Sequence, residues 1–124
     1  MVPQNLKFTK EHEWVKVDGD VATMGVTDFA QGELGDVVYI ELPAVGDKIV
    51  QFESMGTIEA VKAVSDIYAP ITGEIIELNA ALEGTPEIVN KEPFAGGWFI
   101  KIKISDMAQL DELLSPAEYE ELIG

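Results

Sequence analysis

The side chain best equipped for chemistry in this sequence is the amine of Lys62, in the run Ile58-Glu59-Ala60-Val61-Lys62-Ala63-Val64-Ser65-Asp66. Small and apolar residues lead up to it and away from it, which predicts two short strands folded back on each other with the lysine at or near the turn. A hairpin tip projects from a domain and tolerates modification, because little packing depends on it. The nearest charges are Glu59 and Asp66, both carboxylates that stabilise the ammonium form of a neighbouring lysine. Such an amine is a poor nucleophile, the opposite of a Schiff-base lysine, and reacts only with an activated acyl donor and a dedicated enzyme. The residues therefore suit attachment and not catalysis. The competing reading is a solvated surface charge, the usual state of lysine. Against it stand Ala60-Val61 and Ala63-Val64, where an exposed turn ordinarily carries polar turn formers.

The remaining chain offers little other reactive chemistry. It has no cysteine, which excludes disulfides, thiol nucleophiles and cysteine metal sites. His12 is the single histidine, so no multi-histidine zinc site can form and any serine triad would have to use it. No phosphate loop or dinucleotide fingerprint occurs. No metal and no catalytic residue is expected. Acidic residues number 23 against 8 lysines and no arginine, for a net charge of -15. That balance repels nucleic acid and anionic membranes, and it suits a soluble protein meeting basic-faced partners transiently.

The elements that must position Lys62 are short strands. In 124 residues, 47% of them hydrophobic, one domain with a real core is expected. Val15–Val17 and Val21–Val26 flank Asp18-Gly19-Asp20, a hairpin signal. Asp28, with Gln31 three residues on, opens a short helix that Gly35 closes. A strand follows from Val37 to Leu42, stopped by Pro43. Gly46-Asp47-Lys48-Ile49-Val50 is echoed by Gly73-Glu74-Ile75-Ile76-Glu77, with the lysine hairpin between them, which fits two similar halves around one core. A helical turn is expected near Glu87 to Asn90. In a strand from Trp98 to Ile104, Trp98, Ile100, Ile102 and Ile104 should share one face. Asp106 caps a helix to Leu114, and Ser115-Pro116-Ala117-Glu118 is a capping box opening another to Ile123. The expectation is an all-β core with short helices over 1–124, the C-terminal ones at about 106–123. No run of 18 apolar residues and no leader-like start appear, so a cytoplasmic location is expected.

The stretch around Lys62, a glutamate, a small residue, Val-Lys-Ala and then Ser-Asp, resembles the lipoyl-lysine hairpin of the glycine cleavage H-protein family. Further blocks agree in order: Glu11-His12-Glu13-Trp14-Val15, Gly25-Val26-Thr27-Asp28-Phe29-Ala30-Gln31, Leu34-Gly35-Asp36, Ala69-Pro70 to Gly73-Glu74, Glu87-Ile88-Val89-Asn90 and Gly97-Trp98-Phe99-Ile100-Lys101-Ile102. The resemblance implies a barrel-sandwich hybrid (the lipoyl/biotinyl-like hammerhead) whose hairpin, 58–67, bears lipoate on Lys62 as N6-lipoyllysine. It implies a monomeric carrier, not itself an enzyme, whose swinging arm takes an aminomethyl group from glycine decarboxylase to the tetrahydrofolate-dependent aminomethyltransferase. The dithiol then passes to dihydrolipoamide dehydrogenase, and a lipoate-attaching enzyme is a further partner. By the same resemblance Glu59 and Gly73 help that enzyme recognise the hairpin, and Glu13 and Asp66 line the cleft where the loaded arm docks. His12 is expected to be structural, beside Trp14. Glu33 departs from the histidine that some relatives carry in the short helix, and Gly32 is likewise unusual there.

Other swinging-arm carriers remain as alternatives. Biotinyl hairpins place methionines beside the lysine, where this chain has Val61 and Ala63. The lipoyl domains of 2-oxoacid dehydrogenases place aspartate just before it and lack the Trp14 block. A lipoyl relay that donates its lipoate to other enzymes would use the same hairpin. An unmodified acidic interaction module is the remaining reading.

Overall fold

The computed structural model describes residues 2–124. Two antiparallel sheets enclose a common core. The larger has the order β1-β2-β3-β9-β8-β5 and the smaller β4-β6-β7, where β1 is Lys7–Phe8, β2 Glu13–Asp18, β3 Val21–Val26, β4 Val37–Glu41, β5 Lys48–Ile49, β6 Ser54–Ala60, β7 Val64–Tyr68, β8 Gly73–Leu78 and β9 Ile100–Ile104. Short helices join them: α1 Phe29–Leu34, α2 Ala81–Gly84, α3 Ile88–Lys91 and α4 Pro116–Ile123.

Alternation along the strands builds the interior. Val15, Met24, Ile75 and Ile102 of the large sheet meet Ile58 and Ile67 of the small one. Each such fully buried side chain contributes about 1.5–3 kcal/mol. The first hairpin turns at Gly19, whose φ of 65° is the left-handed conformation that glycine adopts freely. The two echoed segments pair with each other, Lys48 opposite Glu74 and Ile49 opposite Gly73. α1 ends at Gly35 as expected; the Gln31 side chain, expected in its cap, lies outside the described residues.

Three expectations are corrected. The last strand begins at Ile100, and Trp98 does not share the core face. Asn79 Nδ2 takes the Trp98 carbonyl at 2.7 Å and that of Gly96 at 2.8 Å, so residues 96–98 follow a side chain instead of the ladder and Phe99 is the ring that enters the core. The segment after Asp106 is a 3-10 helix, Met107–Glu112, which stops short of Leu114 because Leu114 exchanges both backbone hydrogen bonds with Phe8. α2 carries no sequence signal strong enough to have been expected. The Ser115 capping box forms, with Pro116 in the first turn of α4.

A second cluster seals one side. Phe8 stacks on Tyr119 with ring centroids 4.5 Å apart, and Trp14 packs with Phe94 while its Nε1 donates to the Pro93 carbonyl at 2.7 Å. Gly25 lies opposite Trp14 because a Cβ there would come within 2.8 Å of the indole nitrogen. Among the described residues, no helix is long and apolar enough to cross a membrane.

Candidate functional site

β6 and β7 form the expected hairpin, with Ala60 donating its N–H to the Ala63 carbonyl so that Val61 and Lys62 occupy the turn. Lys62 and its neighbours Val61, Ala63 and Val64 are exposed. The tip is nonetheless fastened. Val61 N–H donates to the Asp36 carbonyl and Lys62 N–H to the Leu34 carbonyl, each at 2.9 Å. Gly35 between them has φ of 76°, and a Cβ at that position would lie 3.1 Å from Lys62 Cγ. The lysine stem therefore runs across a bare glycine at the end of α1, so the amine is free while its base is held.

Beside the tip lies a cleft of about 70 Å³. Val26, Ala30, Leu34, Ile58 and Ile67 supply its apolar wall, and Glu11, Glu13, Glu33 and Asp66 its carboxylates. Asp66 comes from β7 of the lysine hairpin and Leu34 from the helix whose end supports the lysine. One small unit thus builds both the attachment point and the cleft.

Glu13 is the unusual member. It is 2% exposed, yet ionisable. Its Oε1 accepts from the Thr9 hydroxyl at 3.0 Å and its Oε2 from the Tyr68 backbone N–H at 2.8 Å. The Thr9 hydroxyl in turn accepts from the backbone N–H groups of Glu11 and Glu13, which fills its lone pairs and leaves its proton for Glu13. These bonds suit the carboxylate. Burial outweighs them and, with a smaller push from the charge of Glu11, raises the pKa from 4.5 to about 8. Glu13 is thus held as the neutral acid at neutral pH, and only on ionising does each oxygen keep a lone pair for a further donor.

The structure brings Glu13 and Asp66 together at the cleft. It leaves Glu59 outside, exposed on β6 opposite Val64. Gly73 is buried in the large sheet, where any Cβ would run into the Lys103 carbonyl and Ile102. His12 lines the cleft and is tied to Tyr119, whose hydroxyl lies 2.9 Å from Nδ1 and 2.7 Å from the Thr27 hydroxyl; its ring neighbours are Phe29 and Tyr119, not Trp14. Glu33 also faces the cleft. Sequence reasoning missed Thr9, whose hydroxyl holds Glu13. Thr9 stands four residues before Glu13, a spacing that carries meaning only once the turn between them is known.

Comparisons with known proteins agree with this geometry. A family model described as glycine cleavage H-protein matches residues 6–124. A glycine cleavage system H protein from Staphylococcus carnosus (strain TM300) is 53% identical over 123 residues, covering 99% of this chain and 98% of the relative. One from Carboxydothermus hydrogenoformans is also 53% identical, covering 99% and 95%. The crystal structure of a glycine cleavage system H protein from Mycobacterium marinum superposes with a TM-score of 0.89 at 33% identity, covering 97% of each chain. The two sheets around one core are the barrel-sandwich hybrid of that neighbour.

Proposed function

The chain belongs to the glycine cleavage H-protein family, and from that premise we propose that Lys62 carries lipoate in amide linkage, as N6-lipoyllysine. The H protein is the lipoyl-bearing shuttle of the glycine cleavage system. The observation that carries the assignment to Lys62 is its free amine on a tip whose backbone is fastened beside a cleft. The residues fit such an arm: the stem has a bare glycine to cross, and the cleft offers an apolar wall with a buried acid.

When bound, the lipoyl group supplies the sulfur chemistry that a chain without cysteine lacks. The chain's own residues supply shelter and charge. An aminomethyl cargo is an ammonium, and in the cleft it would meet Glu13 and Asp66. Glu13 would pass its proton to the arriving amine or to water at the cleft mouth, because the cation so formed or admitted offsets the burial that held the proton there. The resulting carboxylate keeps Thr9 and Tyr68 on one lone pair of each oxygen and offers the other to the cargo. The apolar wall would keep water from the carbon–sulfur bond of a loaded arm.

In this reading glycine decarboxylase loads the arm, the aminomethyltransferase unloads it, dihydrolipoamide dehydrogenase reoxidises it, and a lipoate-attaching enzyme installs it. The chain acts as a cytoplasmic monomeric carrier and performs no catalysis of its own. Glu59, exposed three residues before Lys62, presents its carboxylate to the attaching enzyme, and Gly73 is the second recognition position, set in the large sheet against Lys103 and Ile102. Mixing the lipoylated protein with purified decarboxylase tests the role. Glycine-dependent exchange of carbon dioxide is expected, and its absence with lipoate present would favour a lipoyl relay.

A further inference from the structure

We infer that Asn90 is a positioning residue for Lys62: its carboxamide clamps one edge of a short strap, Leu34–Val37, whose other edge holds the lysine hairpin. The backbone groups of this strap are bonded alternately on its two sides. On one side of this strap the carbonyls of Leu34 and Asp36 accept the N–H groups of Lys62 and Val61, both at 2.9 Å. On the other side Asn90 Nδ2 donates to the Gly35 carbonyl at 3.0 Å, and Asn90 Oδ1 accepts the Val37 N–H at 2.8 Å. The carboxamide imitates a neighbouring strand, with one donor and one acceptor in the order the strap requires. Asn90 stands on α3, more than fifty residues from the strap in sequence, and its half-buried amide has both halves occupied.

The consequence reaches the amine. The stem of Lys62 crosses Gly35, and the Gly35 carbonyl is the group that Nδ2 fixes. Rotation of that peptide would turn the surface on which the stem lies and release the carbonyls that hold the turn. Asn90 thus sets the direction in which the side chain leaves the tip, next to Leu34 of the cleft wall. Alanine would remove both contacts. Aspartate would keep an acceptor for Val37 but, ionised, would set a negative charge against the Gly35 carbonyl; protonated, it could donate again.

The inference rests on Lys62 being the modified residue, but its first test uses the unmodified full chain, so a missing lipoyl group would sink the functional reading alone. Amide hydrogen exchange of Asn90→Ala is expected to rise about tenfold at Val61 and Lys62, with Ile75 and Ile104 in the large sheet unchanged. In Asn90→Asp the same two amides should lose protection at neutral pH and regain it as the new carboxyl takes up a proton, after correction for intrinsic exchange. A structural role alone would not follow that titration. Unchanged exchange at Val61 and Lys62, an equal rise at Ile75 and Ile104, or an Asn90→Asp profile parallel to that of Asn90→Ala would each overturn the proposal.

Discussion

Tyr68 donates its backbone N–H to Oε2 of Glu13 at 2.8 Å, which ties the outgoing strand of the lysine hairpin to the acid buried beneath it. The bond couples two features that lie far apart in sequence. A shift of β7 away from the sheet carrying Glu13 would strip the carboxyl of one of its two donors. Attachment point and cleft therefore keep a fixed relation.

The protonation of Glu13 should be visible in stability. In the folded protein it holds its proton up to about pH 8, whereas in the unfolded chain it does so only to about 4.5. The folded state thus binds more protons between those values, and stability falls as pH rises through the window. The whole effect amounts to ~5 kcal/mol at most. Urea melts of Glu13→Gln against the unsubstituted protein should show the variant gaining relative stability from pH 4 to pH 9. Parallel profiles would remove the buried acid from the account.

The same acid should guard the cargo. With the arm loaded, Glu13→Gln is expected to lose the aminomethyl group about tenfold faster, the cost of one charge-assisted contact. The rate is read by following ammonia and formaldehyde release. An unchanged rate would take Glu13 out of the docking site.

Gly32 and Gly35, both near the end of α1, should answer oppositely to alanine. At Gly35 a Cβ meets a φ of 76° and the Lys62 stem at 3.1 Å, so Gly35→Ala should cost about 1–2 kcal/mol and slow lipoate attachment. At Gly32 nothing lies within 4 Å, and Gly32→Ala should add about 0.5–1 kcal/mol with attachment unaffected. Thermal melts and attachment rates on both variants check the pair.

Ser115→Ala offers a control distant from the hairpin. Its hydroxyl accepts the Glu118 N–H at 3.2 Å and Glu118 returns a bond to the Ser115 N–H at 2.9 Å, so its loss should cost about 1 kcal/mol. Attachment rates should not change. A fall in attachment would show that α4 reaches the hairpin.

The parts of this structure legible in the sequence are those governed by neighbours along the chain. Asp18-Gly19-Asp20 announces its turn, the small residues around Lys62 announce theirs, and Ser115 to Glu118 spell a cap. What escaped depends on groups that meet only in space. Glu13 opens a strand as any surface acid might, and its burial follows from β7 closing over it. The strap from Leu34 to Val37 reads as an ordinary helix exit, because backbone groups carry its contacts and side-chain patterns do not report them. Asn90 reads as the end of a helical turn, and its partners lie more than fifty residues away. Trp98 left the expected strand for a related reason, since the Asn79 side chain takes its carbonyl.

The central claim is that Lys62 bears lipoate. Intact mass of the protein made in a lipoate-competent host tests it most directly, alongside Lys62→Arg made in the same way. One lipoyl increment on the unsubstituted chain and none on the variant is the predicted result. An unmodified chain, a biotin increment, or a lipoyl increment that survives Lys62→Arg would contradict it.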